Sequence, residues 1–109
     1  MQIAIIGSRN IKNLDLEKYI TDLDEIVSGG ARGVDSIAAE YANQNGIKLT
    51  EFLPEYTKYG KAAPLIRNRQ IVDYTDKILV FWDGKSKGTK FVIDNCKKIG
   101  KDIEIVIIE

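Results

Sequence analysis

The stretch Ile26-Val27-Ser28-Gly29-Gly30-Ala31-Arg32-Gly33-Val34-Asp35 decides the fold. A short apolar strand runs into three glycines within five residues. Val34, Ile37, Ala38, Tyr41 and Ala42 then recur at helical spacing. Strand, glycine loop and helix in immediate succession make a βα turn. Its glycines tolerate positive φ and let the backbone come close to a ligand. The helix that follows presents unpaired N–H groups and the positive end of its dipole to the loop. That combination suits a phosphate or another anion. A tight βα turn with no ligand uses the same glycines, so this loop alone leaves both readings open.

Working outward, the same alternation repeats along the chain. Gln2–Ile6 reads as a short buried strand (Ile3, Ile5, Ile6), and Leu16, Tyr19, Ile20 and Leu23 follow at helical spacing. Glu25–Val27 is the second strand, and Gly46 closes the helix after it as a C-terminal cap. Ile47–Leu53 alternates as a third strand. Residues 54–61 (PEYTKYGK) form the longest irregular segment. A helix is predicted from about Ala62 to Tyr74 with Pro64 in its first turn. Lys77–Trp82 is the fourth strand and Asp83–Gly88 a polar loop. Phe91, Val92, Asn95, Cys96 and Ile99 form a helical face ended by Gly100, and Asp102–Ile108 is the fifth strand. Strict β-α alternation predicts a parallel α/β sheet with helices on both faces. With strand order 3-2-1-4-5, ligands belong beyond the carboxyl ends of the strands, at the switch point between the first and fourth.

Composition narrows the possibilities. The chain has 109 residues, enough for one domain (1–109) and one core. Lys+Arg and Asp+Glu each number 16, which argues against a general polyanion binder while leaving room for a local basic patch. No apolar stretch approaches a membrane span and no signal pattern appears. Cys96 has no partner for an internal disulfide, so cytoplasm is the default compartment. With no histidine and one cysteine, a zinc site and a histidine-based triad are excluded, and no metal is expected. The end-most strands and outer helices can support a homo-oligomer, but the sequence marks no apolar patch for one.

Four loops at the carboxyl edge carry the candidate chemistry. After the first strand, Gly7 permits a sharp turn, Ser8 offers a hydroxyl, and Arg9 supplies a forked cation. After the second, Ser28, Gly29, Gly30 and Gly33 shape the central loop. Asp35 sits in the first helical turn, either favouring the dipole or accepting from a ribose or base. After the third, Arg67 and Asn68 are placed to meet a phosphate or a base edge, and Tyr56 and Tyr59 to stack on a base or cover the core edge. After the fourth come Asp83, Lys87, Gly88 and Thr89. This last run is reminiscent of a phosphate cradle but lacks the P-loop spacing. Each loop also has a plain structural reading; their convergence on one sheet edge favours a site.

The ordered set IGSR (Ile6–Arg9), SGGARGVD (Ser28–Asp35), RNRQI (Arg67–Ile71) and WDGKSKGT (Trp82–Thr89) resembles the SLOG superfamily of Rossmann-like domains. That group includes the DNA-processing protein A (Smf) domain and the "lonely guy" phosphoribohydrolases. The resemblance is nearest to the small stand-alone YspA-like, YpsA-related branch of bacteria and their phages. It implies a Rossmann-like three-layer sandwich with a nucleotide-type ligand over the strand ends: a nucleotide, an ADP-ribose-like molecule or another phosphorylated ribose. No cofactor is implied beyond that ligand. By resemblance, Gly7, Ser8 and Arg9 line one side, and Gly29, Gly30 and Gly33 form the central loop. Arg67 and Asn68 approach from the third helix, while Gly88 and Thr89 cradle phosphate. The phosphoribohydrolases carry a PGGxGTxxE loop whose glutamate acts in catalysis. Here GKSKGTKFV puts Val92 at that place, so hydrolase chemistry lacks its carboxylate.

The expected function is therefore nucleotide binding as a sensor or processing module. One alternative is an N-glycosidic hydrolase using Asp35 or Asp83 instead of the glutamate. Another is single-stranded nucleic-acid binding through Arg9, Arg32, Arg67, Arg69, Lys85 and Lys87, with Tyr56, Tyr59 or Trp82 for stacking.

Overall fold

The structure is a computed structural model and describes residues 2–20, 25–30 and 33–108. Strands β1 (Gln2–Gly7), β2 (Glu25–Ser28), β3 (Lys48–Glu51), β4 (Lys77–Trp82) and β5 (Ile103–Ile107) form one sheet. Every neighbouring pair is parallel and the order is β3-β2-β1-β4-β5, as the alternation predicts. Register places Gly7 beside Phe81 and Val27 beside both Ala4 and Thr50, which lines up the carboxyl ends of the central strands.

Successive side chains of a strand point to opposite faces, so the two halves of each apolar run serve two cores. Ile3, Ile5, Ile26, Leu79 and Phe81 face α1 (Val34–Gln44), packing with Val34, Ala38 and Ala42. Ala4, Ile6, Val27, Ile78 and Val80 face the other way. They meet Ile71 and Val72 of α3 (Ala63–Tyr74) and Val92, Ile93 and Cys96 of α4 (Lys87–Ile99). Helix, sheet and helix make the three layers of a Rossmann-like sandwich. Gly46 (φ 64°) and Gly100 (φ 72°) both take the left-handed conformation, at the ends of α1 and α4 as expected.

Local departures from the sequence reading have local causes. Between β1 and β2, the described residues form a 3-10 turn, Leu16–Lys18, rather than a helix. Asp15 caps it by accepting from the Glu17 N–H, while Leu16 and Ile20 are buried in the core. Leu23, the last position of that apolar spacing, lies outside the described residues. Strand β3 ends at Glu51, and Leu53 is 59% exposed, because only four residues pair with β2. The irregular segment is instead shaped into the short helix α2 (Tyr56–Tyr59) and a 3-10 turn, Gly60–Ala62. Helix α4 begins at Lys87, so Lys87 and Gly88 belong to its first turn and not to the loop. Its buried face is Thr89, Val92, Ile93 and Cys96. Phe91 (42% exposed) and Ile99 (55%) lie off that face, contrary to their sequence assignment.

Candidate functional site

The strand order reverses between β1 and β4, and a cleft of about 450 Å3 opens at the carboxyl ends of the strands there. Gly7 at the end of β1 and Arg9 just after it reach the cleft, as do Gly29 after β2 and Asp35 in the first turn of α1. Arg67 and Asn68 enter from α3, and Asp83, Gly88 and Thr89 from the loop and first turn after β4. Nine of the fourteen candidate positions therefore line one cavity.

The other five do not line it. Ser8 is buried, its N–H donating to the Phe81 carbonyl (3.1 Å) and its Oγ accepting from the Asp83 N–H (3.2 Å). It ties the β1 loop to the β4 loop rather than facing the cavity. Ser28 Oγ accepts from the Gly30 N–H (3.3 Å) and so folds the central loop on itself. Gly33 has φ 72°, and a Cβ there would sit 2.5 Å from the Arg9 carbonyl oxygen and 2.6 Å from that of Ser8. Only glycine lets these two loops touch. Gly30 and Lys87 also lie outside the cavity wall. Ala31 and Arg32, which follow Gly30, fall outside the described residues.

Arg67 is the least expected element. It is 7% exposed and acts as a clamp: Nη1 donates to the Gly29 carbonyl (2.6 Å) and Nε to Asn68 Oδ1 (2.8 Å). A Cβ on Gly29 would lie 2.5 Å from Arg67 Nη1 and 3.1 Å from Asp35 Oδ2, so the glycine admits the guanidinium and the carboxylate together. Burial pushes the Arg67 pKa down, the charge of Asp35 pulls it back up, and nearby Arg9 opposes the proton again.

Asp83 is held just as firmly. Its Oδ1 accepts from the backbone N–H groups of Lys85 and Ser86, both at 2.8 Å. Those backbone bonds, led by the one from Ser86, hold its pKa below the usual carboxylate range, aided by Asn10 and Ser8. Ser86 caps α4, its Oγ accepting from the Thr89 N–H (3.5 Å), while its carbonyl accepts from Trp82 Nε1 (3.0 Å). Sequence reasoning missed Ile6, Asn10, Pro64, Leu65, Ile71 and Ser86 as lining residues. Serine before a helix was a readable cap signal; the apolar ones carry no mark distinguishing a cavity wall from core.

Ile6, Ile71 and Val92 give the cleft an apolar base, whereas Arg9, Asn10, Asp35 and Asp83 make it polar around that base. Gly88 lines it, and beyond its chain neighbours and its own helix backbone no protein atom lies within 4 Å of where a Cβ would stand. Neither the fold nor its packing demands a glycine at that helical position, where alanine is favoured by roughly 0.5–1 kcal/mol. Among the described residues, no group of three His, Cys, Asp or Glu is arranged to hold a metal. No described helix is long and apolar enough to cross a membrane.

Comparisons with known proteins agree with this architecture. The Gene 61 protein of Mycobacterium phage D29 is 36% identical over 81 residues, a match that spans 69% of this chain and 65% of that relative's length. No solved structure matches the chain. The model of the YspA, cpYpsA-related SLOG family matches residues 1–59, which run from β1 through α2 and hold the first two cleft loops. From that match, and with the parallel 3-2-1-4-5 sheet that it implies, the chain belongs to the YspA, cpYpsA-related SLOG family.

Proposed function

We propose that the protein binds a nucleotide or a nucleotide-derived phosphorylated ribose in the cleft over the ends of β1, β2 and β4. The observation that carries this reading is the convergence of three strand-end connections and helix α3 on one cavity, with an unexplained glycine, Gly88, at the first turn of α4. Its parts suit the parts of such a ligand. Pro64, Leu65 and the base of Ile6, Ile71 and Val92 offer apolar surface to a ring. Arg9 and the amino-terminal turn of α4 suit a phosphate, and Asp35 can accept from ribose hydroxyls. Family membership is consistent with a nucleotide-related role.

Binding without hydrolysis is the better supported version. Val92 contributes only an apolar contact where a phosphoribohydrolase would carry its glutamate. Asp83, one of the two substitutes available, is held ionised by backbone N–H groups, which opposes a role as proton donor. The basic patch needed for single-stranded nucleic acid is weakened because Arg67 is spent inside the protein. A thermal-shift panel of AMP, ADP, ADP-ribose, NAD, ribose 5-phosphate and a short single-stranded oligonucleotide tests this reading. A ligand at a hundred times its Kd adds about 2.7 kcal/mol, a shift of roughly 10 °C or more in a domain of this size. Arg9→Ala should diminish the shift. A panel in which only the oligonucleotide acts, and only at low salt, would replace this reading with the nucleic-acid one. No shift with any compound would reject it.

A further inference from the structure

We infer that α4 carries a docking surface for an acidic, amphipathic helical segment of another protein. That segment lays apolar side chains against Phe91 and Ile99 and carboxylates against Lys87 and Lys98. None of these four side chains lines the cleft, so the inference stands apart from the nucleotide reading.

The apolar face of α4 is wider than the part its own fold covers. Thr89, Val92, Ile93 and Cys96 are buried, while Phe91 and Ile99 stay exposed. Lys87, Phe91, Asn95 and Ile99 follow one another at four-residue intervals, so they form one row along the helix. Lys98, seven residues after Phe91, lies on the same side. At a rise of about 1.5 Å per residue, Phe91 and Ile99 stand about 12 Å apart along the axis, and Lys87 and Lys98 about 16 Å apart. The row is therefore an apolar pair bracketed by two cations.

Charge selects the partner. Residues 85–101 hold six lysines and one aspartate, a local net of +5 in a chain whose total is zero. The rest of the molecule accordingly carries −5. Asp94 is already paired with Lys90 (3.1 Å), and Lys101 donates to the Thr75 carbonyl. Lys87 and Lys98 are exposed and form no ion pair among the described residues. A helix with apolar residues two turns apart and acids at both ends complements that row in shape and in sign. Other anionic surfaces fit it less well. A bilayer takes up a broad apolar face, whereas most of the apolar face of α4 is inside the protein. Nucleic acid gains nothing from Ile99, which cannot stack on a base, and the row offers one aromatic ring.

Fluorescence anisotropy of the full chain with a labelled helical peptide of about 16 residues, roughly 24 Å long, tests this. The peptide carries leucines at every fourth position with glutamates flanking them, and a scrambled peptide of the same composition is the control. Wild-type protein should bind the amphipathic peptide saturably and at least about fivefold more tightly than the scrambled one. Phe91→Ala should weaken binding by about fivefold or more, and Lys87→Glu combined with Lys98→Glu by about tenfold or more. Lys87→Arg combined with Lys98→Arg should keep it, and raising salt from about 0.05 to 0.5 M should weaken it by about fivefold. All these positions are exposed, so the variants should fold, and the two charge pairs keep the test independent of Phe91→Ala. No saturable binding at about millimolar protein, equal binding of the scrambled peptide, or variants that bind as the wild type does would overturn the inference. Tighter binding of a single-stranded oligonucleotide or of phosphatidylserine vesicles would overturn it in favour of that class. A wild-type dimer in sedimentation that Phe91→Ala separates would overturn it in favour of a second copy of the chain.

Discussion

Replacing Arg67 by alanine should unfold the site before it says anything about a ligand. The side chain is 7% exposed and donates a 2.6 Å hydrogen bond to the Gly29 carbonyl, with a second at 2.8 Å to Asn68. A hydrogen bond from a charged group is worth about 1.5–3 kcal/mol, and much of that is the cost of leaving the buried acceptor unmet. Asp35, 8% exposed beside the guanidinium, would lose its neighbouring cation, adding to the penalty. Against this stands relief of burying a charge, visible in the downward pull that burial exerts on the Arg67 pKa. The balance is a loss of about 2–4 kcal/mol, a large part of the ~5–15 kcal/mol that holds a typical domain together. Urea unfolding followed by circular dichroism would measure it, and melting should fall by about 10–20 °C. Arg9→Ala, at an exposed position, is the control and should stay within about 0.5 kcal/mol. If Arg67→Ala unfolded as Arg9→Ala does, the clamp between α3 and the β2–α1 connection would be an incidental contact and the reasoning would fail.

Three further substitutions test separate parts of the account. Gly33→Ala forces a Cβ at φ 72° to within 2.6 Å of two carbonyl oxygens and should cost at least about 2 kcal/mol in urea unfolding; a neutral result would mean the loops separate freely. Gly88→Ala should act in opposite directions, stabilising the free protein by roughly 0.5–1 kcal/mol while weakening AMP binding, and equal AMP affinity would remove α4 from the site. Glu25 is buried at the amino-terminal end of β2, where burial raises its pKa but hydrogen bonds from Thr50 (2.5 Å) and Tyr74 (2.7 Å), with Lys48, together lower it by more. The folded pKa thus lies below the ordinary 4.5, so its contribution is complete above that pH and lost as pH falls below it. Glu25→Gln should flatten the acid limb of the stability profile, and a limb of unchanged steepness would assign acid unfolding elsewhere.

The features legible in the sequence share a physical origin. Strands β1 and β4 announce themselves because a parallel sheet covered on both faces needs near-continuous apolar runs, IAII and ILVFW. Gly46 and Gly100 are readable as helix ends because a left-handed cap has few alternatives to glycine. The cleft itself is legible because each strand of a doubly wound sheet delivers its loop to the same edge. What escaped reading depends on tertiary partners. Arg67 looks like a solvated cation until Gly29 removes the Cβ that would block it. Ser8 and Ser28 look like ligand donors until their hydroxyls are found closing the loops. Of the face expected for α4, Val92 and Cys96 are buried, whereas Phe91 and Ile99, apolar enough to suggest core, are exposed and Thr89 and Ile93 take the remaining buried positions.

The most direct test of a nucleotide site at the switch point is a titration of 15N-labelled protein with AMP, followed by two-dimensional NMR. The account predicts saturable shifts concentrated on the backbone N–H groups of Gly7, Gly29, Gly88 and Thr89 and on the Arg9 side chain, with β3 and the carboxyl end of α1 unmoved. Saturable shifts centred elsewhere, or none at millimolar AMP, would contradict it.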